Sequence, residues 1–341
     1  MAEVQIYGRA SLSHDNIAGY SDGRANQYIS SNSSRIGFRG DEALGDDYRG
    51  LFQIEVPLGM DDGAGGGFAG RDSFVGIANR FGSLRFGGHI FNPVDDMHSM
   101  FGSANFAGLG NASVLWCNGY TPGPANGPGA VQWDLRLRNS VRFDSAAMRS
   151  TSLHYSLASN ETPDTDIASA SLRWRGSGWN LLVVGERHHN LRGSGLTDRG
   201  QWLVASRQIT PVWYLGALAE QLAYASPAGG LKRHYLAGVV RYQWLPQHSL
   251  ELHAGQASDV SGSNGDAVGT PGSRFYRSAG ADTGALQTIL QYSWDICRAV
   301  PVCMPSIPGR PTAATPPTTW RRQTAWRRRP AAPRPPGCAR R

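Results

Sequence analysis

No run of 18 or more apolar residues occurs anywhere in the 341-residue chain, so a transmembrane helix is excluded. No amphipathic helical stripe of any length appears either. Cysteine is nearly absent: of four, only Cys117, in a predicted loop, precedes residue 296, so no disulfide framework or thiolate metal site can be built there. Cys297, Cys303 and Cys338 lack the spacing of zinc ligands. No metal and no cofactor are expected. The opening MAEVQIYG has neither a basic stretch nor an apolar segment after it, so no signal peptide is expected in this chain. If the protein is exported, this is a mature form with an added Met1, or its start was assigned too late.

Acidic residues are also missing from one place. Residues 296–341 hold 10 Arg and no Asp or Glu, with 10 of the 20 prolines. The remainder therefore carries 33 − 10 = 23 basic against 26 acidic residues, a net of −3, although the whole chain is +7. A basic total would ordinarily suggest nucleic acid. Here it belongs to a Pro/Arg-rich tail over 296–341, expected to be non-barrel and disordered, and the body offers no basic run. No nucleic-acid partner is expected.

What the body does have is period-two alternation from its start to Asp295, the pattern of half-buried strands. EVQIYGRASLSH sets Val4, Ile6, Ala10 and Leu12 against Gln5, Tyr7, Arg9, Ser11 and Ser13. SSRIGFRG sets Ile36 and Phe38 against Arg35, Gly37 and Arg39, and ASASLRWR sets Leu172 and Trp174 against Ser171, Arg173 and Arg175. About fourteen strands are predicted, near 3–13, 33–41, 48–57, 70–79, 83–91, 134–144, 149–158, 167–175, 178–188, 199–208, 212–224, 231–244, 248–257 and 282–295. Short and long Gly/Asn/Asp/Pro connectors alternate between them, the rhythm of an up-and-down meander.

The polar faces carry too many Arg, Gln and Glu for a sandwich core. Trp174, Trp179, Trp202, Trp213, Tyr242, Trp244, Tyr292 and Trp294 lie at or near strand ends, as in interfacial aromatic girdles. The fold class is therefore all-β, a transmembrane antiparallel up-and-down barrel with apolar faces toward lipid. A soluble sheet with one wet face is the bland alternative, and fourteen meander strands closing one sheet argue against it.

VQIYGRAS, SSRIGFRGDEALG, LFQIE, GRDSFVGIANRFGSLRFGGH, RNSVRFDS and LQYSWD, in this order over residues 2–295, resemble the general trimeric porins of Gram-negative outer membranes, most of all their beta-proteobacterial branch. The resemblance implies a sixteen-stranded barrel, a homotrimer embedded in outer-membrane lipid, and passive diffusion of small hydrophilic solutes and ions. It also implies that a long third loop, here about 92–133, folds inward and narrows the pore. The length of that loop by itself suggests a functional segment.

Matched motif by motif, the family's basic constriction residues fall on Arg9, Arg35, Arg71 and Arg138, and its loop acids on Asp95 and Asp96. The usual acidic stretch of the loop is absent here. Alternation independently puts Arg9, Arg35 and Arg138 on polar faces; for Arg71 it says less. Opposed charges across a narrow water path create a transverse field. Four arginines against two aspartates imply a mild anion preference. Arginines that only pair with neighbours on the wall are the competing reading.

Little else carries chemistry. His188 and His189 point to opposite faces and make a poor metal pair, and the glycines of 62–70 precede no helix that would complete a phosphate cradle. An enzyme is not expected, and an adhesin would need a passenger domain for which the chain has no room. The alternatives that stay open are a substrate-selective channel of the same fold and a non-functional truncated porin.

The tail has one further property. CRAVPVCMPSIPGRPTAATPPTTWRRQ offers no strand, since proline cannot sit repeatedly inside a sheet. Read one frame over, Val302–Pro308 permits V-Y-A-V-Y-T, and the Met304–Pro305 junction forces the alanine because ATG-CCN contains GCC. The residues before it permit R-T-R. The result, RTRVYAVYTR, alternates and resembles the family's next strand, so a shifted reading frame from about residue 297 is expected.

Overall fold

The computed structural model describes residues 3–16, 27–63, 66–91, 96–97, 100, 133, 136–159, 164–226, 228–263, 267–268 and 277–294. The chain divides into two units, 1–302 and 303–341, and all described residues belong to the first. Asp95, Cys117 and the tail 296–341 lie outside the described residues.

Fourteen strands form the wall: β1 (Glu3–Arg9), β2 (Arg35–Ala43), β3 (Arg49–Pro57), β4 (Ser73–Asn79), β5 (Gly82–Phe91), β6 (Ser140–Ser145), β7 (Thr151–Ser159), β8 (Asp166–Gly176), β9 (Trp179–His189), β10 (Thr197–Gln208), β11 (Trp213–Tyr224), β12 (Leu231–Leu245), β13 (His248–Ala257) and β14 (Ala285–Trp294). Each pairs antiparallel with the next in chain order, giving one continuous meander. This is the all-β barrel architecture expected from the alternation. Connections at one end are short, down to Ser177–Gly178 between β8 and β9. Both of those residues have positive φ (51° and 80°), as a two-residue hairpin turn requires. Connections at the other end are long, including 58–72, 190–196 and 258–284.

Two boundaries differ from the alternation. The first strand ends at Arg9; Leu12–Asn16 instead pairs with Gln27–Ser31 as a separate hairpin. The segment expected over 134–144 is interrupted: Arg136–Leu137 pairs with β5, Asn139 takes φ 48°, and β6 begins only at Ser140. Arg138 is exposed at that bend, so its face cannot be read by counting along a strand.

Over the middle of the wall the outward face is apolar and bare. Val75, Leu203, Leu236, Leu286 and Leu290 are all more than half exposed. A contiguous apolar surface of this kind needs a non-aqueous partner. At the short-turn end Trp213 packs on Tyr242, which stacks on Trp244, which stacks on Tyr292, at centroid separations of 4.6, 5.8 and 6.1 Å. These rings form the outward aromatic belt that interfacial positions favour.

The inward face, the polar one by alternation, carries apolar residues as well. Across β9 to β12 it carries Leu182, Val184, Trp202, Val204, Leu218, Leu222, Tyr224, Leu231, Tyr235 and Val239, all buried in one cluster. That stretch carries apolar residues on both sides, and its inner ones pack against Met97, Met100 and Trp133 of the long connection between β5 and β6. Trp202 belongs to this inner cluster, at 2% exposure, and not to the aromatic belt.

Candidate functional site

Two clusters of charge on the inner wall contain residues singled out from the sequence. The first forms where β1, β2 and β3 run side by side. Register sets Arg9 opposite Arg35, and Tyr7 opposite Gly37, which lies opposite Glu55. Gly37 is glycine for a steric reason: a Cβ there would lie 2.3 Å from Cζ of Tyr7. The tyrosine ring lies across β2 and donates its hydroxyl to Glu55 Oε2 at 3.1 Å. Arg35 Nε lies 3.1 Å from the same oxygen, and Arg71 Nε donates to Oε1 at 2.6 Å. Glu55 is only 5% exposed. Arg9 donates to Ser11 Oγ at 3.2 Å. Arg35 and Arg71 thus share the one buried carboxylate of Glu55.

The second cluster gathers on β5, β6, β7 and β8 around Asp96. Arg142 Nη2 donates to both Asp96 oxygens, at 3.1 and 3.0 Å, and Arg142 Nε donates to Asp144 Oδ1 at 2.9 Å. Arg85 and His154 also bond Asp144, and Arg173 donates to the Asp96 carbonyl at 2.7 Å. Burial alone would raise the pKa of Asp96, but Arg142, His154 and Arg173 outweigh it and hold the carboxyl below its ordinary value. The aspartate therefore binds the long connection to the wall as a charged group.

Apolar anchors complete that attachment. Met97 and Met100 are 1% and 0% exposed, and full burial of a methionine side chain is worth roughly 1.5–3 kcal/mol. Tyr214 donates its hydroxyl to the Met100 carbonyl, and Gly216 leaves room for that carbonyl, which would lie 3.2 Å from an added Cβ. At the far end of the connection Trp133 stacks on His188 at 3.9 Å and donates Nε1 to the Tyr224 hydroxyl at 3.4 Å.

Of the residues singled out from sequence, the structure thus gathers Arg9, Arg35 and Arg71 at one place and sets Asp96 against Arg142. Arg138 stands apart, exposed at its bend, and Asp95 lies outside the described residues. Sequence reasoning passed over Arg85, Arg142, Asp144 and His154 as site residues. Alternation in SVRFDS does put Arg142 and Asp144 on one face with buried Ser140, and this was the available signal.

An antiparallel meander with an apolar exterior, a charged interior and a connection docked inside it defines an outer-membrane β-barrel of the porin type. The model for the Gram-negative porin family matches residues 1–282, and the chain belongs to that family. Among curated relatives, the major outer membrane protein P.IA of Neisseria meningitidis is 40% identical over 68 residues, 20% of this chain and 17% of that protein. P.IB of the same species is 24% identical over 206 residues, 56% of each chain. The matched stretches thus span from under a fifth to about half of the relatives' lengths. Solved structures with the same fold include an anion-selective porin from Comamonas acidovorans, with TM-score 0.50, 14% identity, and coverage of 86% of this chain and 99% of that one. OmpF of Salmonella typhi in complex with daunomycin gives TM-score 0.55 at 14% identity, over 85% and 97% of the two chains.

Proposed function

We propose that this chain forms a water-filled channel for passive diffusion of small hydrophilic solutes and ions, with a mild preference for anions, and that it works as a homotrimer. The observation that carries the reading is that two guanidiniums, Arg35 and Arg71, share the buried carboxylate of Glu55 on the inner wall, with Arg9 close to both. Two guanidiniums on one carboxylate leave positive charge on the inner face beside β2 and β3. A permeating anion meets guanidiniums whose field is only partly cancelled, and a cation meets the opposite. The name of the Comamonas protein, an anion-selective porin, is in keeping with this.

The test is the zero-current potential of the reconstituted protein in a KCl gradient. The wild type should read on the anion side. Arg35→Ser with Arg71→Ser should move it toward cations, and Glu55→Gln should move it further toward anions. Potentials unchanged in both variants would remove this cluster from the conduction path. Titrating solutes into the same bilayers distinguishes a general pore from a substrate-selective one, because block at low concentration by one solute class marks the latter.

A further inference from the structure

Arg35, Arg71, Arg85, Arg142 and Arg241 on the inner wall each meet a carboxylate. Arg39 does not. It stands on the same face of β2 as Arg35, four residues nearer the short-turn end, and it is exposed. Among the described residues no acid lies within ion-pair distance of it. Asp41, two residues further along that face, is taken by Arg49, and Glu55 is taken by Arg35 and Arg71.

The side chain is nevertheless held in place. Register sets Arg39 between Gln5 of β1 and Gln53 of β3. Its Nε donates to Gln5 Oε1 at 2.9 Å, and its Cζ lies over the Tyr7 ring, 5.0 Å from the centroid. Gln53 is engaged elsewhere, its Nε2 donating to the carbonyl and the carboxylate of Asp72 at 3.0 and 2.9 Å. The guanidinium is thus backed by a ring and anchored through Nε, while Nη1 and Nη2 donate to nothing among the described residues. A cation without a counter-ion, oriented before any solute arrives, is a pre-organised anion site.

We infer that Arg39 is a binding station for the carboxylate group of small organic acids passing through the interior. A guanidinium presents parallel N–H groups whose spacing matches the two oxygens of a carboxylate, and chloride, a single sphere, cannot use both arms of that fork. Nη1 and Nη2 of Arg39 supply the fork, and the amide nitrogen of Gln5 adds donors beside it. Four residues of strand span about 13 Å, so the station lies beyond Arg35 on the way to the short-turn end. The cluster around Glu55 sorts ions by sign, and Arg39 sorts anions by shape. The inference rests on the reading of the interior as a conducting path.

The test uses the full chain in planar bilayers, with acetate as the probe. Replacing chloride by acetate at constant ionic strength should depress single-channel conductance steeply at low acetate fractions and then level off, the mark of a bound anion. Arg39→Lys keeps the charge and loses the fork. It should move the half-effect to about tenfold more acetate, the size expected when a bidentate charge-assisted pair becomes a single bond, while the zero-current potential in a KCl gradient stays as in the wild type. Gln5→Ala, which releases Nε from its anchor, should shift the half-effect in the same direction. In dodecyl maltoside micelles, magnetisation transfer from the folded protein to the acetate methyl protons should be reduced in Arg39→Lys. That measurement needs no current, so a failure of binding is told apart from a failure to conduct. Conductance falling in linear proportion to acetate in the wild type, or the same half-effect in the wild type and Arg39→Lys, would overturn the inference.

Discussion

Trp133 lies face to face with His188, their ring centroids 3.9 Å apart and their planes 17° from parallel. The indole also meets Trp202 edge-on at 6.0 Å, so the end of the long connection is held by three aromatic neighbours when Tyr224 is included. Truncating a buried tryptophan to alanine costs about 3–5 kcal/mol when the site cannot collapse. Trp133→Ala should therefore loosen the connection without unfolding the wall, whose strand ladders it does not join. The expected result is a noisier single-channel current with more variable conductance, at unchanged heat-modifiable migration. Quiet traces indistinguishable from wild type would show that Trp133 does not hold the connection in place.

Gly37 tests the other half of the interior. A methyl group there would collide with the Tyr7 ring, so Gly37→Ala should expel the ring and break the bond from its hydroxyl to Glu55. A hydrogen bond to a charged acceptor contributes about 1.5–3 kcal/mol. Denaturant unfolding in micelles should show a loss of that order, and Tyr7→Phe should show a similar one. The two losses should not add when the substitutions are combined, because both remove the same bond. Full additivity would mean that Gly37 matters for another reason.

Asp96 sets a pH dependence. Its carboxyl is held below the ordinary value of 3.8, so it stabilises docking of the long connection fully at pH values above that ordinary value. The contribution falls away as pH drops through the lower value of the docked state. Near-ultraviolet circular dichroism and channel noise should stay level from neutral pH down to about 4 and change only below it. Asp96→Asn should abolish that acid step and start from a less firmly docked state. A wild-type transition centred near pH 5 would contradict the pairing with Arg142.

The edges of the sheet bear on the tail. β1 pairs with β2 and β14 with β13, and among the described residues no ladder joins β1 to β14. Unpaired strand edges are not tolerated against lipid, where every backbone group must be satisfied within the protein. The alternating RTRVYAVYTR that the offset frame permits is the kind of segment that would pair there. Sequencing the gene in independent reads should reveal one base gained or lost near codon 297. A clean in-frame tail in all of them would refute the shifted frame.

The wall was legible in the sequence because alternation is a local signal that survives in every strand. Even so, counting along 134–144 missed the bend at Asn139 and with it the placement of Arg138, because a break in period leaves no mark when residues on both sides of it are polar. The site was less legible, since its partnerships depend on register. Alternation puts Glu55 on the same face as Gln53. That Glu55 is shared by Tyr7, Arg35 and Arg71 follows only when three strands are aligned. The apolar inner wall was hidden for another reason. NLLVVG reads the same whether one face or both are covered, and what covers the inner face comes from a connection far away in sequence.

The apolar anchoring of the long connection and the ionic lining of the β1–β3 wall respond to dissolved salt in opposite directions. At 1 M ionic strength the screening length is about 3 Å, short enough to blunt the field of Arg9 and Arg35 in the water path. Burial of Met97, Met100 and Trp133 is not weakened by salt, and strongly hydrated anions such as sulfate reinforce it. Concentrated brine should therefore erase charge discrimination while leaving the bore of the channel unchanged.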